Sequence, residues 1–122
     1  MRRLAALSVM VLALGACAQT ASSDARYDLA EFSISGPERL TAVGEIEVSN
    51  SGQYPHTLVV TDVDGSVVAA SGLVAPGATS SLAVDLTAGN YQFTCRIVTE
   101  TPDGSIVDHF EEGMSQRVEV SA

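Results

Sequence analysis

From Leu29 onward the chain reads as short runs of Val, Leu, Ile and Thr broken by turn-forming residues roughly every eight to twelve positions, a spacing that suits stacked strands and leaves no stretch for a long helix. In Glu45-Ile46-Glu47-Val48 the alternation puts Ile46 and Val48 on one face and both carboxylates on the other. The same period places Leu82, Val84 and Leu86 inward, and Val118 and Val120 inward against Arg117 and Glu119. Between Tyr91 and Ile97, the side chains of Tyr91, Phe93 and Cys95 share the inner face. Asp64-Gly65, between two apolar runs, marks a hairpin, and Pro76-Gly77 fits a type II turn with glycine in the left-handed position. These runs predict an all-β sandwich over residues 28–122. A chain of 122 residues holds one such domain and no second core.

The N-terminus reads as an address. Arg2 and Arg3 precede an uncharged run, Leu4 to Ala16, which is short of the roughly 20 residues that a membrane-spanning helix needs, so residues 1–16 are read as a signal peptide. The run ends Leu14-Gly15-Ala16-Cys17, which resembles the lipobox of bacterial lipoproteins. That resemblance implies a lipid on the Cys17 sulfur and a domain bound to a membrane through this anchor only. Two other readings stand beside it: Ala16-Cys17-Ala18 also fits ordinary cleavage after Ala18, and an oxidising compartment permits a Cys17–Cys95 disulfide. Residues 17–27 read as the lipidated cysteine and a small, polar, flexible tether.

All six basic residues are arginines and two lie in the leader, which leaves four against fifteen Asp and Glu in the exported part, a net charge of −11. Charge of this sign repels nucleic acid and anionic headgroups; it keeps a protein soluble or steers it to a cationic partner.

Four potential metal ligands occur in the order His56, Cys95, His109, Met114, and beyond the leader and Cys17 the chain has no other His, Cys or Met. Two imidazoles and a thiolate in a trigonal arrangement, with a weak axial thioether, make a blue-copper site. Singly, each residue also has a plain reading: an inward Cys or Met fills core, and a His after Pro sits in a turn.

Around these residues the sequence resembles the cupredoxins, the group of plastocyanin, azurin and halocyanin, over residues 40–121. Asn50-Ser51-Gly52-Gln53-Tyr54-Pro55-His56 follows the family's strand end and Pro-His pair, Ala88-Gly89-Asn90-Tyr91-Gln92-Phe93-Thr94-Cys95 its approach to the cysteine, and His109-Phe110-Glu111-Glu112-Gly113-Met114 its His-to-Met loop. The resemblance implies a Greek-key antiparallel β-sandwich of about seven or eight strands. It further implies one copper ion with His56 and His109 as equatorial nitrogen ligands, Cys95 as thiolate and Met114 as axial ligand. Thr57 stands where the family often has Asn, and thirteen residues separate Cys95 from His109 where the family usually has only a few.

That insert, residues 97–107, reads as a hairpin, because Thr101-Pro102-Asp103-Gly104 suits a type I turn. Pairing outward from Thr101 and Gly104 sets Arg96 opposite His109, which aims Cys95 and His109 at opposite faces unless a bulge or bend intervenes. Asp108, Glu111 and Glu112 are either a solvated acidic rim or the source of an oxygen ligand in a relaxed, red or green site.

No paired carboxylates, Ser-His-Asp arrangement or phosphate-cradling loop is present, so the chain is read as not an enzyme. The function expected is single-electron transfer in the periplasm or cell envelope, as a monomer, to a redox partner such as a cytochrome or oxidase. By resemblance, electrons pass through His109, the family's more exposed ligand. The alternative is copper binding or trafficking without electron transfer; a metal-free sandwich for adhesion or assembly is a third reading.

Overall fold

Period-2 alternation becomes eleven strands: β1 (Arg26–Ala30), β2 (Ser33–Ser35), β3 (Arg39–Thr41), β4 (Val43–Asn50), β5 (Val59–Thr61), β6 (Val67–Ala70), β7 (Thr79–Leu86), β8 (Gly89–Thr94), β9 (Val98–Glu100), β10 (Ile106–Asp108) and β11 (Ser115–Ser121). The computed structural model describes residues 25–122, so the signal peptide, Cys17 and most of the tether lie outside the described residues. One sheet has the order β2-β1-β4-β7 and the other β3-β11-β8-β5-β6, with β9 and β10 forming a separate hairpin. Two pairings are parallel, β1 with β4 and β3 with β11; the rest are antiparallel. The strand number exceeds the expected seven or eight because β2 and β3 are three residues each, too short to show a period, and the hairpin of the insert adds β9 and β10.

The inward positions read from the sequence fill the space between the sheets. Ile46, Val48, Leu86, Phe93, Val118 and Val120 are buried, and Leu82, Val84 and Tyr91 pack partly buried against them. Tyr27 of one sheet meets Phe93 of the other with ring centroids 4.7 Å apart. Its hydroxyl donates to the Pro37 carbonyl at 2.6 Å, which satisfies the one polar atom of this core aromatic.

Tyr27 also corrects the tether boundary: Arg26 and Tyr27 belong to β1, and Tyr27 is only 1% exposed. Only Tyr27 and Leu29 carry the inward period of β1, which is why the strand did not stand out beside the polar stretch before it.

The expected turns form. Gly65 (φ +80°) donates to the Asp62 carbonyl at 3.0 Å and closes the β5–β6 hairpin. Ala78 donates to the Ala75 carbonyl at 2.9 Å across Pro76-Gly77, with Gly77 at φ +77°.

Candidate metal centre

Each of the three strong donors is placed by backbone hydrogen bonds at one end of the sandwich. Asn50, the last residue of β4, is buried and turns its side chain onto the loop that follows. Its Nδ2 donates to the carbonyls of Tyr54 and Val74, both at 2.8 Å, and its Oδ1 accepts from Gly52 N at 2.9 Å. This ties residues 51–55 into a fixed path to His56, whose own backbone exchanges hydrogen bonds with Val74.

Cys95 follows β8 directly, and its N–H donates to the Met114 carbonyl at 3.2 Å. Met114 N in turn donates to the His109 carbonyl at 3.1 Å, and His109 N to the Ile97 carbonyl at 3.0 Å. The turn from His109 to Met114 closes on Gly113 (φ +118°), which a side chain would strain. Asp108 Oδ1 accepts from the N–H groups of Phe110 and Glu111 at 3.0 and 3.3 Å. That role, and the absence of any carboxylate from the metal-capable cluster among the described residues, removes the support for an oxygen ligand.

The insert returns His109 to Cys95 through a register different from the one the sequence suggested. Thr101 N donates to the Ser105 carbonyl at 2.8 Å and Gly104 N to the Thr101 carbonyl at 2.9 Å, with Gly104 at φ +85°. The loop therefore holds three residues, a type I turn followed by a left-handed glycine. Val98 pairs with Asp108, and Ile97 faces His109 in place of Arg96. One residue of slip exchanges faces, so the turn itself supplies the correction expected of a bulge at the base.

The result is a buried triangle. His56 Nδ1 and His109 Nδ1 are 3.2 Å apart, and each is 3.8 Å from the Cys95 sulfur. All three residues are at most 1% exposed, and Met114 beside them is fully buried. Three donors around one first-row ion, with metal–nitrogen bonds of about 2.0 Å and a metal–sulfur bond of about 2.3 Å, have N···S edges of about 3.7 Å and an N···N edge of about 3.5 Å at trigonal angles. The observed edges lie within about 0.3 Å of these.

The outer nitrogens point to the same use. His56 Nε2 lies 2.8 Å from Glu31 Oε1, and His109 Nε2 lies 2.8 Å from Thr99 Oγ1. A carboxylate only accepts, so Nε2 of His56 carries the proton, which in the neutral ring leaves Nδ1 as the lone pair toward the triangle. Burial first, and then the neighbouring His56, push the His109 pKa down from its ordinary value, with Glu31 and Asp108 opposing. Two buried imidazole nitrogens and a soft sulfur facing one another suit a soft cation. Thr57 reaches toward the sulfur, with Oγ1 4.0 Å from Sγ, a weak contact.

Glu31, Phe32 and Thr99 are the site residues that the sequence reading missed. Glu31 and Phe32 form the β1–β2 turn, Glu31 on His56 and Phe32 edge-on to His109 with centroids 5.1 Å apart. Nothing local marks that turn, whereas Thr99 follows once the hairpin register is known. Together Phe32 and Thr99 cover His109, so that both imidazoles are buried. His109 is 1% exposed and lines a small cavity of about 60 Å³ with Phe32, Tyr54, Thr99, Thr101 and Val107.

A β-sandwich that converges two imidazoles, one thiolate and a buried thioether is arranged as a single type 1 copper site, the mark of a mononuclear copper protein. Comparison with known proteins agrees: the family profile of the cupredoxin-like domain matches residues 5–107, and the chain belongs to that family. The match takes in His56 and Cys95 and ends before His109. Among solved structures the fold is similar to reduced auracyanin from Roseiflexus castenholzii, with TM-score 0.57, 16% identity, and 80% of this chain and 95% of that one covered. It is also similar to an azurin from Methylomonas sp. strain J (TM-score 0.53, 13% identity, 80% and 96% covered). A purple cupredoxin from Nitrosopumilus maritimus gives TM-score 0.52, 20% identity, and 80% and 100% covered. At these identities the likeness concerns the fold alone. No curated protein matches the sequence.

Proposed function

We propose that the protein is a one-electron carrier of the cell envelope in which His56, Cys95, His109 and Met114 would hold one copper ion. The observation that carries this reading is the buried triangle of two imidazole nitrogens and one sulfur. Copper bound there supplies the chemistry, passing between Cu(II) and Cu(I) with one electron. The chain's part is to keep the donors still. Asn50 holds the approach to His56, and the hydrogen bonds linking Ile97, His109, Met114 and Cys95 hold the other three.

Complete burial of the donors supports electron carriage over delivery of the ion, since an exchanging metal needs an open side. The same closed donor set leaves no position for a substrate and supports a non-enzymatic role. The leader and Cys17 support export and a lipid anchor, and the net negative charge suits a cationic redox partner such as a cytochrome or oxidase.

The test is a Cu(II) titration of the purified protein and of Cys95→Ser and His109→Ala, followed by visible absorption and electron paramagnetic resonance. An intense thiolate charge-transfer band with narrow copper hyperfine splitting, lost in both variants, is the outcome expected. Copper uptake without that band, or a band that survives His109→Ala, refutes the assignment.

A further inference from the structure

The two imidazoles are held by unlike partners. His109 Nε2 meets a neutral hydroxyl, while His56 Nε2 meets the Glu31 carboxylate. Besides that ring, Oε1 accepts from Tyr54 N at 2.8 Å and Gln53 N at 2.9 Å, and Oε2 also accepts from Gln53 N at 3.0 Å. Every partner is an N–H donor, which selects the ionised, acceptor-only form of the carboxyl group. Among the described residues no arginine lies within ion-pair distance of Glu31, so no cationic side chain offsets its charge.

The loop before His56 is shaped to receive this carboxylate. A Cβ added at Gly52 would collide with the Glu31 carboxylate oxygens, so only glycine there lets the group sit against Gln53 and Tyr54. Glu31 thus fixes the ring of His56 and also the two residues just before Pro55.

From this geometry we infer that Glu31 is a positioning residue that locks His56 with Nε2 protonated and Nδ1 bare, and that its negative charge, one imidazole away from the metal, favours Cu(II) over Cu(I). The inference rests on the copper reading given above. A carboxylate on the outer nitrogen makes the ligand more basic, and a more basic ligand with a nearby negative charge stabilises the more highly charged ion. Glu31→Gln keeps an acceptor oxygen at similar size and removes the charge.

The experiment is voltammetry of the copper-loaded protein, comparing wild type with Glu31→Gln and with Glu119→Gln, which removes a carboxylate from the outward face of β11, away from the site. Absorption and electron paramagnetic resonance spectra are recorded for each. Loss of about tenfold in the preference for Cu(II), the lower end of outer-shell effects, appears as a rise in potential of about 59 mV for a one-electron couple. The thiolate band is retained, and Glu119→Gln shifts the potential far less.

If Glu31→Gln retains the band and shifts the potential no more than Glu119→Gln, the inference is overturned and the copper reading stands. A wild type without the band overturns both. Nitrogen NMR of the metal-free protein gives a check that needs no copper: His56 is expected as the Nε2–H tautomer with a strongly downfield ring proton that moves upfield in Glu31→Gln. An Nδ1–H tautomer in the wild type refutes the positioning role.

Discussion

Thr99 Oγ1 lies 2.8 Å from Nε2 of His109, so the hairpin that separates Cys95 from His109 in sequence folds back over the second imidazole. The hairpin is therefore part of the site. Thr99 and Val107 pair across it and both line the cavity against His109, while Val98 and Ile106 lie on its exposed side.

Replacing Thr99 with Val removes the hydroxyl and leaves the buried Nε2 of His109 without its partner. Stranding a buried polar group costs about 1–3 kcal/mol. Urea unfolding of the metal-free protein should show that loss for Thr99→Val and a much smaller one for Thr99→Ser, which keeps the hydroxyl.

Gly104→Val puts a β-branched residue at φ +85° and disfavours the three-residue loop against the two-residue turn that pairs Thr101 with position 104. That register sets Arg96 in place of Ile97 opposite His109 and turns the imidazole from the triangle. The variant should keep the far-ultraviolet circular dichroism of the sandwich, because β9 and β10 belong to neither main sheet, yet lose the thiolate band on adding Cu(II).

Phe93 is fully buried and meets Tyr27 between the sheets, two residues before Cys95. Phe93→Ala should cost about 3–5 kcal/mol, measured as a lower denaturant midpoint. Against a typical domain stability of about 5–15 kcal/mol, that change should also impair copper loading at elevated temperature.

The pH dependence of the metal-free protein follows from two groups. For Glu31, burial alone would raise the pKa, but donors from Tyr54, Gln53 and His56 outweigh it and hold the value at about 2, against 4.5 for the ordinary group. The unfolded chain then binds more protons between these values, so this contribution is complete above 4.5 and is lost as pH falls toward 2. The lowered pKa of His109 acts in the same direction at higher pH: below 6.5 the unfolded imidazole protonates first and stability falls. Urea midpoints should decline in both windows, with the acidic decline flattened in Glu31→Gln; a profile flat from neutral pH to about pH 3 would contradict both.

Sequence reasoning went furthest where side-chain period and motif coincide. Ile46, Val48, Leu86, Val118 and Val120 were placed inward by alternation alone, and His56, Cys95, His109 and Met114 were singled out by type and order; the fold brings the first three within 4.8 Å. What escaped was decided by contacts distant in sequence. Glu31 lies twenty-five positions from His56, in a turn whose residues carry no period, and only the β1–β4 pairing makes them neighbours. The hairpin register escaped because Thr101-Pro102-Asp103-Gly104 closes the same type I turn with Gly104 inside or outside the ladder. Choosing between the two is a matter of one left-handed residue.

The closing strand bears on the order in which the site can come into being. β11 lies between β3 and β8, and the hydrogen bond from Cys95 to Met114 sits at its entry. A chain delivered N-terminus first, from a ribosome or through a translocation channel, presents His56 early and His109 and Met114 late. Cys95 meets His109 and Met114 only after those late residues have emerged, so the complete donor set forms only once β11 has closed the second sheet.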